Sequence, residues 1–152
     1  MLYAIKSEIE SAQIYNELAE KFSSNYLLSE RLKFLAKEED LHQTIITRLF
    51  KDRYPDRPIE LPKDSIVPIP KIKIEKVAEI SDLFHQAMNA ELVAHEFYKD
   101  MAERFDEESK KVILRYLSDM EMGHYYILKS EYELSKNEEI YHDYNELMHA
   151  GP

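Results

Sequence analysis

The 152-residue chain contains no cysteine. That excludes disulfides, cysteine-type zinc sites and iron–sulfur clusters within it. The lack of disulfides fits a cytoplasmic protein. No apolar run approaches the roughly 20 residues needed to span a bilayer, so no membrane partner is expected. Met1 to Ile5 leads straight into a helical pattern and does not read as a signal peptide. Basic residues are outnumbered, 20 Lys and Arg against 30 Asp and Glu, for a formal charge of −10. Phosphate binding needs a basic face, so nucleic acid is not expected as a partner either. Glycine occurs only at 123 and 151, and five of the six prolines lie between 55 and 70. Helix breakers are therefore missing from long stretches on both sides of that segment.

What remains is a chain with 44% hydrophobic and 33% charged residues, suited to one soluble domain over 1–152. The 3.6-residue period predicts helices near 1–23, 28–52, 79–105 and 108–137. Ser81 or nearby Glu79 is the expected start of the third. The first two helices form a hairpin over about 1–53, and the last two another over about 79–137. Between them runs a long proline-bearing crossover, 54–78, and a short tail follows from 138 to 152. A connection that long is unusual in a compact domain, but a bundle in which one link must run the length of the helices requires it. The expected fold is all-α: an antiparallel four-helix bundle with a long crossover between helices 2 and 3.

The chain repeats itself. Glu8 to Phe22 lies over Glu91 to Phe105 at an offset of 83, with identities at Glu8/Glu91, Tyr15/Tyr98, Ala19/Ala102, Glu20/Glu103 and Phe22/Phe105. Leu32 to His42 lies over Leu114 to His124 at an offset of 82, with Leu32/Leu114, Leu35/Leu117, Glu39/Glu121 and His42/His124 identical. The natural reading is two hairpins of one ancestral design.

Four carboxylates fall in unexpected places. At about 100° per residue, Ala4, Ala12, Tyr15, Ala19 and Phe22 all lie within roughly 40° of Glu8. Glu91 sits in the same way among Phe84, Ala87, Tyr98, Ala102 and Phe105. Glu39 shares its face with Leu28, Leu32, Leu35, Ile46 and Phe50, and Glu121 with Leu114, Leu117, Leu128 and Tyr132. Glu10, Glu17 and Glu96 point away and read as surface residues. Bare charges on four core-facing stripes would be very costly. The glutamates could be protonated, but no Lys or Arg lies centrally on these faces to pair with them. Metal is the remaining option: two divalent cations balance four carboxylates, and two neutral histidines complete the set. Glu39-x-x-His42 and Glu121-x-x-His124 each place two ligands one turn apart.

These residues resemble the ferritin-like di-metal carboxylate pattern, a Glu from each of two helices plus Glu-x-x-His from each of the other two. Within that superfamily the chain is similar to the rubrerythrin family, in its bundle domain, over roughly residues 1–135. Glu-x6-Tyr at Glu8/Tyr15 and at Glu91/Tyr98 adds to the resemblance. It implies that Glu8 and Glu91 are terminal ligands, one per metal, and that Glu39 and Glu121 bridge. It further implies that His42 shares the metal of Glu8 and His124 that of Glu91, and that Tyr15 and Tyr98 hydrogen-bond to ligand carboxylates. Two departures stand out. The cysteine-ligated rubredoxin domain that usually accompanies the family's bundle has no counterpart here. The further Glu usually found three residues after the helix 3 ligand is Ala94, which puts efficient peroxidase activity in doubt. His95, beside it, is either a substitute or a bundle-lining histidine. His85 reads as surface or crossover packing, and His142 and His149 fall in the tail.

Oxygen and nitrogen ligands suit two iron ions, or manganese. The expected reaction is oxidation of Fe(II), or reduction of H2O2 or O2, with electrons from a separate donor protein. The alternatives are a dimanganese catalase, a hydroxylase, and an iron-binding or storage module without turnover. A homodimer is expected, and the proline-stiffened crossover allows a domain-swapped form of it.

Overall fold

In the computed structural model, residues 1–64 and 78–136 are described. Four helices account for most of them: α1 (Leu2–Lys21), α2 (Tyr26–Arg53), α3 (Ala78–Ala102) and α4 (Glu108–Ser135). The described residues contain no strand. Among them no helix is long and apolar enough to cross a membrane. The chain divides into two units, one carrying α1 and nearly all of α2, the other carrying α3 and α4.

In the first unit, Phe22 to Asn25 turn the chain between α1 and α2. The Ser29 hydroxyl donates to the Ala19 carbonyl at 2.9 Å and so ties the two helices beside the turn. The buried face of α2 is Leu28, Leu32, Leu35, Glu39, His42, Ile46 and Leu49, with Ser29, Ala36 and Phe50 alongside. Its steps alternate between four and three residues, the 3.5-residue period of a coiled-coil seam. Glu39 and His42 are two consecutive rungs of that seam. The chain leaving α2 turns at Tyr54, whose ring carries the Arg53 and Arg57 guanidiniums at 5.8 and 5.7 Å. It then reaches Lys63, whose carbonyl accepts from Lys6 Nζ at 2.6 Å.

In the second unit, α3 and α4 pack along their length. Residues 103–107 connect them, and Arg115 on α4 pairs across that bend with Glu103 at 3.1 Å and within its own helix with Glu108 at 3.4 Å. The seam of α4 runs Leu114, Leu117, Glu121, His124, Leu128 and Glu131, again in alternating steps. On α3 the buried residues include Leu83, Phe84, Ala87, Met88, Glu91, Tyr98, Met101 and Ala102.

The sequence-based boundaries shift by at most three residues. Helix 2 starts at Tyr26, helix 3 ends at Ala102 where the α3–α4 bend begins, and helix 4 ends at Ser135. Glu79 and Ser81 lie inside α3, so neither opens it. The wheel drawn at 3.6 residues per turn put Tyr132 on the Glu121 stripe. The seam follows 3.5, and the buried residue is Glu131, with Tyr132 half-buried. Most of the crossover, 65–77, and the tail from 137 lie outside the described residues, and the domain-swap question with them.

Gly123 sits mid-helix in α4, and a Cβ built on it meets nothing within 4 Å. Its φ is not positive. Gly123→Ala should therefore stabilise the protein by about 0.5–1 kcal/mol, read as a rise in urea midpoint, because helical glycine loses more chain entropy than alanine. An unchanged or lower midpoint would show that the small residue is needed there.

Candidate metal centre

Each hairpin carries its own triad. In the first, α1 supplies Glu8 while α2 supplies Glu39 and His42; none is more than 3% exposed. His42 Nδ1 lies 3.7 Å from Glu8 Oε2 and 3.5 Å from Glu39 Oε2. Burial raises the Glu8 carboxyl most, Glu39 beside it raises it further, and His42 lowers it; the result is about 8. Two carboxylates pressed together in an apolar seam cannot both ionise cheaply without a cation.

That shift has a sign that can be checked. A carboxyl whose folded-state pKa is raised from 4.5 to about 8 costs nothing at pH 4. As pH rises through that window the unfolded chain releases a proton that the folded chain keeps, so stability falls. Metal-free Glu8→Gln lacks this cost. Its urea midpoint should gain on metal-free wild type steadily from pH 5 to pH 8. A constant difference across that range would mean Glu8 is ionised throughout.

In the second hairpin, α3 supplies Glu91 while α4 supplies Glu121 and His124, all buried. His124 Nδ1 lies 3.7 Å from Glu91 Oε2 and 3.2 Å from Glu121 Oε2. The sequence-predicted ligands Glu8, Glu39 and His42 thus come together in one unit, and Glu91, Glu121 and His124 in the other. Glu39, His42, Glu121 and His124 are all buried and are of types that could hold a metal. Carboxylate oxygen with imidazole nitrogen is a fitting donor set for iron or manganese, and no thiolate competes.

The remaining residues sort as follows. Tyr15 and Tyr98 are buried at 3% and 1% exposure, and Phe97 meets the Tyr98 ring edge-on at 5.7 Å. Glu17 and Glu96 are exposed, as expected, while Glu10 is half-buried, 3.4 Å from Lys6. His85 is exposed, with its ring 6.0 Å from that of Tyr132. His95 is half-buried against Ser118 on α4. His142 and His149 lie outside the described residues. Sequence reasoning overlooked Ser118 and Glu131, both buried. The alternating seam itself could have found Glu131, since it continues the series through Leu128.

The rubrerythrin family matches residues 1–132 of this chain. Among solved structures, a hypothetical protein from Pyrococcus furiosus superposes with a TM-score of 0.83 at 42% identity, covering 90% of this chain and 87% of that one. A search of curated proteins gives no match. The helices and this likeness give an all-α four-helix bundle. With a buried Glu/His group that could bind a metal pair, they support a di-metal carboxylate protein. A match over 1–132, carrying both Glu-x-x-His pairs and both Glu-x6-Tyr pairs, means that the chain belongs to the rubrerythrin family.

Proposed function

We propose that the chain is a di-iron oxidoreductase, oxidising Fe(II) or reducing H2O2 or O2 with electrons from a separate donor protein. The observation that carries this reading is the pair of buried triads, each with two glutamates and one histidine set into a leucine seam. Glu8, Glu39 and His42 would hold one ion, Glu91, Glu121 and His124 the other, with Glu39 and Glu121 shared between both. Iron held by these residues would supply two electrons to an oxidant. The chain's own work is to bring two carboxylates and one imidazole together in each hairpin, where a bound cation would favour the ionised carboxylates. The leucines of the α2 and α4 seams beside the ligands would help to exclude bulk water. Tyr15 and Tyr98 would orient ligand carboxylates through their hydroxyls. These 152 residues hold no thiol that could store electrons; the reading takes the donor to be a second protein and the working assembly to be a homodimer.

Ala94 leaves one carboxylate fewer beside Glu91 than the family usually has, which favours Fe(II) oxidation over a peroxidase cycle. The test is an anaerobic Fe(II) titration followed by O2 and H2O2 in separate runs. The reading expects two Fe(II) per chain and rapid oxidation by at least one of the two oxidants. Two ions bound with no oxidation by either would leave a storage or carrier module. Two manganese ions found in the purified protein, with H2O2 consumed without a reductant, would instead mark a catalase.

A further inference from the structure

The two hairpins share one design but differ at a buried spot within a turn of their ligands. His95 follows Glu91 by four residues, and Ser118 precedes Glu121 by three. Both therefore stand about one helical turn from a ligand. The Ser118 hydroxyl donates to the His95 carbonyl at 2.9 Å. His95 Nδ1 lies 2.8 Å from the Ser118 carbonyl and 2.9 Å from the Ser118 hydroxyl oxygen. A carbonyl only accepts, so Nδ1 carries the proton and shares it between the two Ser118 oxygens. Three polar contacts thus cross-link α3 to α4, and Ser118 is only 3% exposed.

The same positions in the first hairpin are Ala12, at the offset of 83, and Ala36, at the offset of 82. Both are buried, at 4% and 2% exposure. Methyl groups cannot make these bonds. The first hairpin has its own tie from Ser29 to Ala19, but Ser29 lies ten residues before Glu39. That is about 15 Å of helix rise from the ligand. Polar cross-links fix the register of two helices far better than methyl contacts, which tolerate sliding.

We propose that His95 and Ser118 are positioning residues that preset the ligands of the second hairpin, so that the two metal ions load unequally. The Glu91, Glu121 and His124 half fills first, and the Glu8, Glu39 and His42 half fills second. Part of the ordering cost of the second hairpin is met during folding, whereas the first hairpin meets it when metal arrives. This inference rests on the di-metal reading above. It goes beyond that reading by making the two ions inequivalent and by naming the groups responsible.

The experiment is a cobalt(II) chloride titration of the full-length metal-free protein, followed by calorimetry and by the visible bands of bound cobalt. Wild type should bind two ions in two resolved steps. His95→Ala and Ser118→Ala should each weaken the tighter step by about tenfold, the lower end of what supporting groups around a metal site contribute. The weaker step should not move. His95→Asn keeps an N–H donor near the Nδ1 position and should restore the tighter step, which a purely packing role would not do. It also carries the test if the alanine variants fold poorly. Equal weakening of both steps, a tight step indifferent to all three variants, or a tight step lost as fully in His95→Asn as in His95→Ala would overturn the proposal. So would a single unresolved step in wild type. If wild type binds two ions while the variants change nothing, this inference fails alone. If wild type binds no cobalt, the di-metal reading fails with it.

Discussion

Glu121→Ala should bind neither metal ion, and Glu39→Ala should behave the same way, whereas His42→Ala should lose only one. The difference follows from how many ions each side chain serves in the proposed centre. A shared carboxylate neutralises charge on both cations at once. Removing it would leave two cations with only three carboxylates to balance their charge. Removing His42 takes a neutral donor from one ion and leaves the charge balance intact. The affected site should weaken by at least the 10–100-fold that supporting groups around a ligand already contribute. Metal content after gel filtration, measured by elemental analysis, reads the result directly. Equal loss across the three variants would contradict the shared role of Glu39 and Glu121. Glu121 is the stronger test, because it lies only 3.2 Å from His124.

Metal removal should change stability by a large amount and in a chosen direction. An ion that binds only the folded chain stabilises it by about 4 kcal/mol when present at a thousand times its dissociation constant. A chelator should therefore lower the urea midpoint of wild type substantially. The Glu39→Leu, Glu121→Leu double variant should respond differently. It removes two buried carboxylates and fills the seam with the residue that most other rungs already carry. Replacing buried charged groups with apolar ones of similar volume is often stabilising by about 1–4 kcal/mol. Without metal, the double variant should stand above metal-free wild type, and chelator should not move it. A chelator that leaves wild type untouched would show that no ion contributes to the fold. A double variant less stable than metal-free wild type would show that the glutamates hold the seam through hydrogen bonds that leucine cannot replace.

Much of this was legible in the sequence because ligands and core follow one period. Glu39 and His42 stand out among leucines at the same spacing as the leucines themselves, and the repeat places Glu121 and His124 in the same register. Nothing local says which way a side chain at that spacing should be charged, so a carboxylate there carries information. Ser118 carried none, because a serine in a helix reads as neutral filler until its partner across the hairpin is known. His95 drew notice, but its partner depends on the stagger of α3 against α4, which no single helix encodes. Glu131 was missed for a simpler reason. Over ten residues from Glu121, a 3.6-residue wheel and a 3.5-residue seam drift apart by about 30°, enough to bring Glu131 level with Tyr132 about the stripe and leave the alternating steps to pick out Glu131.

The ligand rungs also settle an ambiguity that leucine alone would leave open. A seam of leucines in steps of four and three fits against its neighbour nearly as well after sliding by seven residues, about 10 Å. If α2 slid that far along α1, Glu8 would face Leu32 or Ile46 in place of Glu39, and its hairpin would bury isolated carboxylates. If α4 slid along α3, Glu91 would meet Leu114 or Leu128 in place of Glu121. Either slip separates the carboxylates from their neighbouring imidazole and strands each one in hydrocarbon, at a cost of several kcal/mol. The residues that make the metal-free chain less stable therefore also dictate which rung of each helix meets which, and they do so before any metal is bound.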